Sequence, residues 1–116
     1  MNILILDDDP DALELLVSAL TDLGHRTQAF VRSSGMLRAL STSTADAVVC
    51  DFRLSRADGD GFAVLARVRD LAPDARRVLV SADIEPKRLA RELAAGLVDA
   101  FVAKPCAELA LATALG

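Results

Sequence analysis

Short apolar runs alternate five times with stretches of helical periodicity along this chain, and no other feature narrows the fold as much. Ile3-Leu4-Ile5-Leu6 opens the pattern as a strand, and Asp9-Pro10 then pairs a capping residue with a proline suited to the first helical position. Leu13, Leu16, Val17 and Leu20 follow at helical spacing, and Gly24 supplies the stop. Thr27 to Val31 reads as a weaker strand, Ser33 or Ser34 as the cap of a helix through Leu40, and Ala47 to Cys50 as the third strand. After a turn-rich loop from Ser55 to Gly61, Phe62, Leu65, Val68 and Leu71 mark a helix ended by Pro73. Val78 to Val80 gives a strand, Pro86 to Ala95 a helix stopped by Gly96, Ala100 to Ala103 a strand, and Cys106 to Leu115 a last helix.

Alternation of this kind implies βαβ units, hence an α/β fold with a doubly wound parallel sheet and helices on both faces. Strands one, three and four are continuously apolar, as strands covered on both sides are; the second carries Arg26, Thr27 and Gln28 and the fifth is short, which suits the edges. The expected order is 2-1-3-4-5. With 116 residues the chain can build one core, so residues 1–116 are expected to form one domain. Ligands of such sheets sit beyond the carboxyl ends of the strands where the order switches, here between strands one and three.

Several function classes drop out before any motif is weighed. Lys and Arg number 13 against 17 Asp and Glu, a net charge of −4 that is unsuited to gripping nucleic-acid phosphates or anionic lipid. No apolar stretch approaches the ~20 residues a bilayer requires, and the start of the chain lacks a basic leader. Two cysteines without metal-type spacing exclude a disulfide scaffold and fit a reducing, cytoplasmic setting. A P-loop is absent.

What remains is the inventory at the strand ends: Asp7, Asp8 and Asp9 after the first strand, Asp51 after the third, Ser81 after the fourth, and Lys104-Pro105 after the fifth. Taken singly, such an Asp caps a helix, such a Ser closes a turn and such a Lys is solvated. Asp9 already suffices as a cap, however, and no helix starts just after Asp51. Carboxylates gathered from adjacent strands raise one another's pKa and destabilise the fold unless a cation sits among them, and hard oxygen ligands with room for water suit Mg²⁺.

With these residues in place the sequence resembles the receiver domain of bacterial two-component response regulators, through ILILDDDP, DAVVCDFRL, DGDGFAVL, VLVSAD and DAFVAKP across nearly the whole chain. The resemblance implies a flavodoxin-like (βα)5 fold and a signalling switch, not an enzyme beyond its own phosphoryl transfer and hydrolysis. It implies Asp51 as phosphoacceptor, Asp7, Asp8, Asp51 and the carbonyl of Arg53 around Mg²⁺, and Ser81 and Lys104 on the phosphoryl oxygens. It further implies a cis Lys104-Pro105 bond and Phe101 as an aromatic rotamer switch. The implied donor is a phosphohistidine on a sensor histidine kinase or histidine phosphotransfer protein, and the implied output is a face of helix four, strand five and helix five, through which a homodimer can also form. Departures are Ser55 where the family has proline, two additional residues before Gly61, and a Phe101 without a hydroxyl. The chain ends without an output domain, as either a stand-alone receiver or one domain of a longer protein.

Two other readings stay open at this level. Asp7-Asp8-Asp9 satisfies the Asp-x-Asp pattern of haloacid-dehalogenase-like phosphatases, with Asp7 as nucleophile, although Asp51 would then lack a role. A receiver-like binding module that works without phosphorylation is the other. Outside the site, His25 is expected at the surface, Cys50 in the core, Cys106 exposed enough to oxidise, and Arg67, Arg69, Arg76 and Arg77 on a solvated face. Arg53 and Asp83, of opposite charge, are expected to pair across the mouth of the site and to obstruct attacking water.

Overall fold

The computed structural model describes residues 1–116. Its elements run β1 (Asn2–Leu6), α1 (Pro10–Asp22), β2 (Arg26–Phe30), α2 (Ser33–Thr42), β3 (Ala47–Asp51), α3 (Gly61–Leu71), β4 (Arg76–Ser81), α4 (Pro86–Ala94), β5 (Ala100–Ala103) and α5 (Glu108–Leu115). All four strand pairings are parallel, in the order β2-β1-β3-β4-β5 expected from the polarity of the second run and the brevity of the fifth. Asp9 caps α1 by accepting from the Asp11 amide at 3.0 Å, Pro10 takes the first helical position, and Gly24 leaves the helix at φ +92°.

Side-chain alternation along the strands divides the interior into two separate clusters. Leu4, Leu6, Val48, Cys50 and Leu79 point to the α2–α3 side, together with Met36, Phe62 and Leu65. Ile3, Ile5, Ala47, Val49, Val78, Val80 and Val102 point the other way, onto Leu16 and Leu20 of α1 and Leu111 and Leu115 of α5. The same parity governs the strand ends. Asp51 and Lys104 continue the series that faces α1 and α5, whereas Ser81 and Phe101 continue the opposite one, and Phe101 packs on the α2–α3 cluster.

Three expectations are corrected. Neither Ser33 nor Ser34 caps α2: Arg32 holds the cap position without a side-chain bond, and Asp58 of a distant loop does the work, accepting from the Ser33 amide at 3.2 Å and its hydroxyl at 2.6 Å. Helix α5 starts at Glu108 and not at Cys106, which lies half-buried in the bend before it, where burial raises the thiol pKa. Arg77 is not solvated. It belongs to β4, is 7% exposed, and donates to the carbonyls of Leu97 (2.9 Å), Gly96 (3.1 Å), Pro73 and Ala75 (both 3.2 Å). Arg76, half-buried, bonds the carbonyl of Ala114. Arg67 and Arg69 are exposed as expected.

Candidate functional site

At the carboxyl end of the sheet, the ends of the adjacent strands β1 and β3 meet the lysine that follows β5, which reaches across the end of β4. Lys104 Nζ lies 2.8 Å from Asp7 Oδ2 and 2.9 Å from Asp51 Oδ1, so one ammonium bridges carboxylates from the ends of β1 and β3. Asp7 is fully buried, and its second oxygen accepts from the Asp9 amide at 2.9 Å. Asp8 is exposed, yet Asp7, Asp8 and Asp51 each offer a carboxylate oxygen within 4.8 Å of the others.

Charge explains what this site is built to take. Three carboxylates against one ammonium leave an excess of two negative charges, which a divalent cation cancels. The ligands are all hard oxygens, and the exposed side at Asp8 leaves room for water or an incoming anion, so the donor set fits a cation of the Mg²⁺ or Ca²⁺ type. Burial pushes the Asp51 carboxyl pKa up, and Asp7 adds to this, against the lowering effect of the Lys104 bond. Burial alone lowers the Lys104 pKa, but its bonds to Asp7 and Asp51 outweigh that and leave it raised.

The walls of the site are equally specific. Gly61 opens α3 against the end of β3: a Cβ there would stand 2.6 Å from the Asp51 carbonyl oxygen and 2.9 Å from Phe52 Cα, so a side chain would displace backbone. Arg53 and Asp83 do pair, through bonds of 2.9 and 2.8 Å, with side chains 70% and 65% exposed. That bidentate bond lowers the Asp83 pKa and raises that of Arg53. Ser81 is buried and turned to its own loop, donating to the Asp83 carbonyl at 2.7 Å and accepting from the Asp83 amide at 3.2 Å. Phe101 is half-buried, and Lys104-Pro105 is cis. Beside Lys104, a cavity of about 580 Å³ opens between α1 and the bend before α5, lined by Leu15, Leu16, Ala19, Pro105 and Cys106.

Sequence reasoning missed two members of the surroundings. Asp60 caps α3 by accepting from the Ala63 amide at 2.9 Å, a role legible in an Asp directly before a glycine-led helical run. Arg88 reaches Asp60 from α4, and nothing local in the sequence signals that contact.

Comparison with known proteins bears on this geometry as a whole. The sequence model for the response regulator receiver domain matches residues 3–116. The regulatory protein VirG of Agrobacterium tumefaciens (strain 15955) is 35% identical over 107 residues, 90% of this chain and 38% of VirG; the chain spans about two fifths of the curated relatives it matches. Among solved structures, the signal receiver domain of an HD domain-containing protein from Pseudomonas fluorescens Pf-5 superposes with a TM-score of 0.83 at 26% identity, over 98% of this chain and 85% of that one. A response regulator from Burkholderia pseudomallei, solved with a phosphorylated aspartic acid, a calcium ion and citrate, shares the fold with a TM-score of 0.86 at 22% identity, over 99% of this chain and 66% of that one.

Proposed function

Because the chain belongs to the response regulator receiver domain family, a family of signalling switches, we propose that it accepts a phosphoryl group on Asp51 and thereby changes a protein-binding face. The observation that carries the reading is the position of the Asp51 carboxylate, within 4.8 Å of two other carboxylates and 2.9 Å from Lys104, at the open end of the sheet. Phosphoryl transfer asks a protein mainly for positioning and for neutralisation of charge on the equatorial oxygens. One oxygen of Asp51 attacks the phosphorus of a phosphohistidine on a sensor kinase or phosphotransfer protein, the O–P bond forming as the P–N bond breaks and the donor's imidazole leaves, while Lys104 balances charge on the incoming group. Asp7, Asp8, Asp51 and the Arg53 carbonyl hold Mg²⁺, which supplies the remaining neutralisation when bound. Asp7, with no exposed surface and both oxygens engaged, serves as a holder of the ion and not as a nucleophile.

Afterwards Ser81 exchanges its bond to the Asp83 carbonyl for one to the phosphoryl group. That exchange shifts the loop before α4 and lets Phe101 turn further inward. Because Ser81 and Phe101 lie on the strand face opposite Asp51 and Lys104, the change passes to the α4 side of the sheet and reaches β5 through Phe101; the edge formed by α4, β5 and α5 is where a target or a second copy docks. The donor docks over the groove between α1 and the bend before α5, next to Lys104. No helix is long and apolar enough to cross a membrane.

Incubation with acetyl phosphate and Mg²⁺ followed by mass spectrometry tests the reading. One labile phosphate on Asp51, absent in Asp51→Asn, is the expected result. Label on Asp7 would favour the phosphatase chemistry, and no label under any condition would favour a module that works without phosphorylation.

A further inference from the structure

Helix α4 is attached differently from the other four. Helices α1, α2, α3 and α5 each bury at least three side chains, whereas α4 buries none. Only Leu89 in the helix and Ile84 before it lie partly against the core, and Leu93 is 38% exposed. The polar contact between α4 and the rest of the molecule is made by Arg88, in the first turn. Its guanidinium donates to the Asp60 carboxylate at 2.6 Å and lies over the rings of Phe52 and Phe62, 5.3 and 4.8 Å from their centroids. The two rings meet edge to face at 5.3 Å. Phe52 directly follows Asp51, and Asp60 caps α3, so one arginine ties α4 both to the neighbour of the acceptor and to the start of α3.

A second ion pair joins the same two segments with the charges exchanged. Arg53 on the loop after β3 pairs with Asp83 on the loop after β4, whereas Asp60 on the first loop pairs with Arg88 beyond the second. Between the two pairs lies a cavity of about 300 Å³ lined by Phe52, Arg53, Asp83, Ile84, Glu85 and Arg88.

We propose that Arg88 is a latch: its bond to Asp60 and its stacking on Phe52 and Phe62, in place of buried apolar area, hold α4 against the molecule, and release of this contact frees α4 to move. A helix without a buried side chain gains little from the hydrophobic effect, which scales with area removed from water. The latch that replaces it is weak enough to open. A partly exposed ion pair shifts an equilibrium by up to about fivefold, and a cation over an exposed aromatic face by a similar factor. The latch also stands where a signal would reach it, since Ser81 holds the Asp83 backbone and Asp83 holds Arg53, so a change at Ser81 moves both walls of the cavity. This deepens the reading of α4 as part of the switched face, but the contact itself exists without phosphorylation.

Amide hydrogen exchange on the unphosphorylated protein, with divalent ions chelated, tests the latch. Arg88→Ala is expected to speed exchange of the α4 amides about 5- to 30-fold. Asp60→Asn keeps the cap on α3, because Asn caps as well as Asp, and is expected to speed α4 about two- to fivefold while α3 stays protected. The double variant should be no faster than Arg88→Ala alone, since both remove one contact. Unchanged α4 exchange in either single variant, or an equal rise throughout the chain, overturns the proposal. No phosphoryl donor is present, so failure here leaves Asp51 as acceptor untouched, and failure to label Asp51 leaves the latch untouched.

Discussion

Asp51→Asn is expected to make the protein more stable in the absence of divalent ions, although it removes a contact seen in the structure. Oxygens of Asp7 and Asp8 lie within 4.8 Å of Asp51, a separation at which like charges repel by about 3.5 kcal/mol for an effective dielectric constant of about 20. Asp8 is exposed and screened, so its share is smaller. Against this, the ammonium 2.9 Å from Asp51 attracts it by about 6 kcal/mol on the same scale. Those contributions nearly cancel, and burial of the carboxylate decides the sign, in line with its raised pKa. Asn carries no charge to desolvate, and Lys104 keeps its bond to Asp7 at 2.8 Å, so the variant leaves no cation stranded. The net gain is expected to be small, on the order of 1 kcal/mol, or roughly 4 °C in Tm for a domain of this size. A raised carboxyl pKa means that the folded state holds the proton more tightly than the unfolded one. The wild type therefore recovers stability as pH falls through the folded pKa, and the gap closes below the unfolded value. Thermal melts with chelator, at neutral pH and then in acid, measure this, and millimolar Mg²⁺ should raise the wild type more than the variant. A variant that melts below the wild type at neutral pH without metal, or a gap indifferent to both pH and Mg²⁺, refutes the reasoning.

Arg53→Ala and Asp83→Ala should each hasten loss of the phosphate several-fold when decay of purified phosphoprotein is followed, with the double variant less than additive; strictly additive logarithms of the rate would show that the pair does not act as one obstruction. Gly61→Ala should slow labelling of Asp51 and lower stability, because the new methyl forces the Asp51 and Phe52 backbone to shift; normal labelling kinetics would show that α3 can give way instead. Arg77→Met should cost about 3 kcal/mol in urea unfolding by leaving the carbonyls of Leu97, Gly96, Pro73 and Ala75 without their donor, while labelling of the folded variant stays normal. Lys104→Ala should still label with acetyl phosphate yet lose the change in amide hydrogen exchange of α4 and β5 expected on labelling of the wild type, since the charge that senses the phosphoryl group is gone.

The sheet was legible because its signals are local. Runs such as Ala47 to Cys50 declare burial on both faces, and the polar Arg26, Thr27 and Gln28 declare an edge, so strand order follows from composition alone. The acidic pair and Lys104 were legible for a related reason: strand ends are fixed once strands are found, and the pleat then assigns each side chain to a face. Contacts that depend on tertiary approach were not legible. Asp58 caps a helix 25 residues before it, Arg88 reaches back 28 residues to Asp60, and Arg77 finds its acceptors in two loops that meet only after folding. In Arg77 the long side chain of a residue that reads as solvated satisfies backbone carbonyls, which no periodicity reports.

The division of the interior into two clusters has a bearing on how such a chain can change over generations. No buried side chain belongs to both, so a substitution at Met36 or Leu65 is accommodated, or not, without reference to Leu16 or Leu111 across the sheet. Each half can drift in size and shape on its own schedule, and a partner that selects for change at α1 or α5 does not disturb the packing beneath α2 and α3. The two histories meet at the carboxyl rim, where Asp51 and Lys104 belong to one side and Ser81 and Phe101 to the other, and there alone must a change on one face be matched by a change on its opposite.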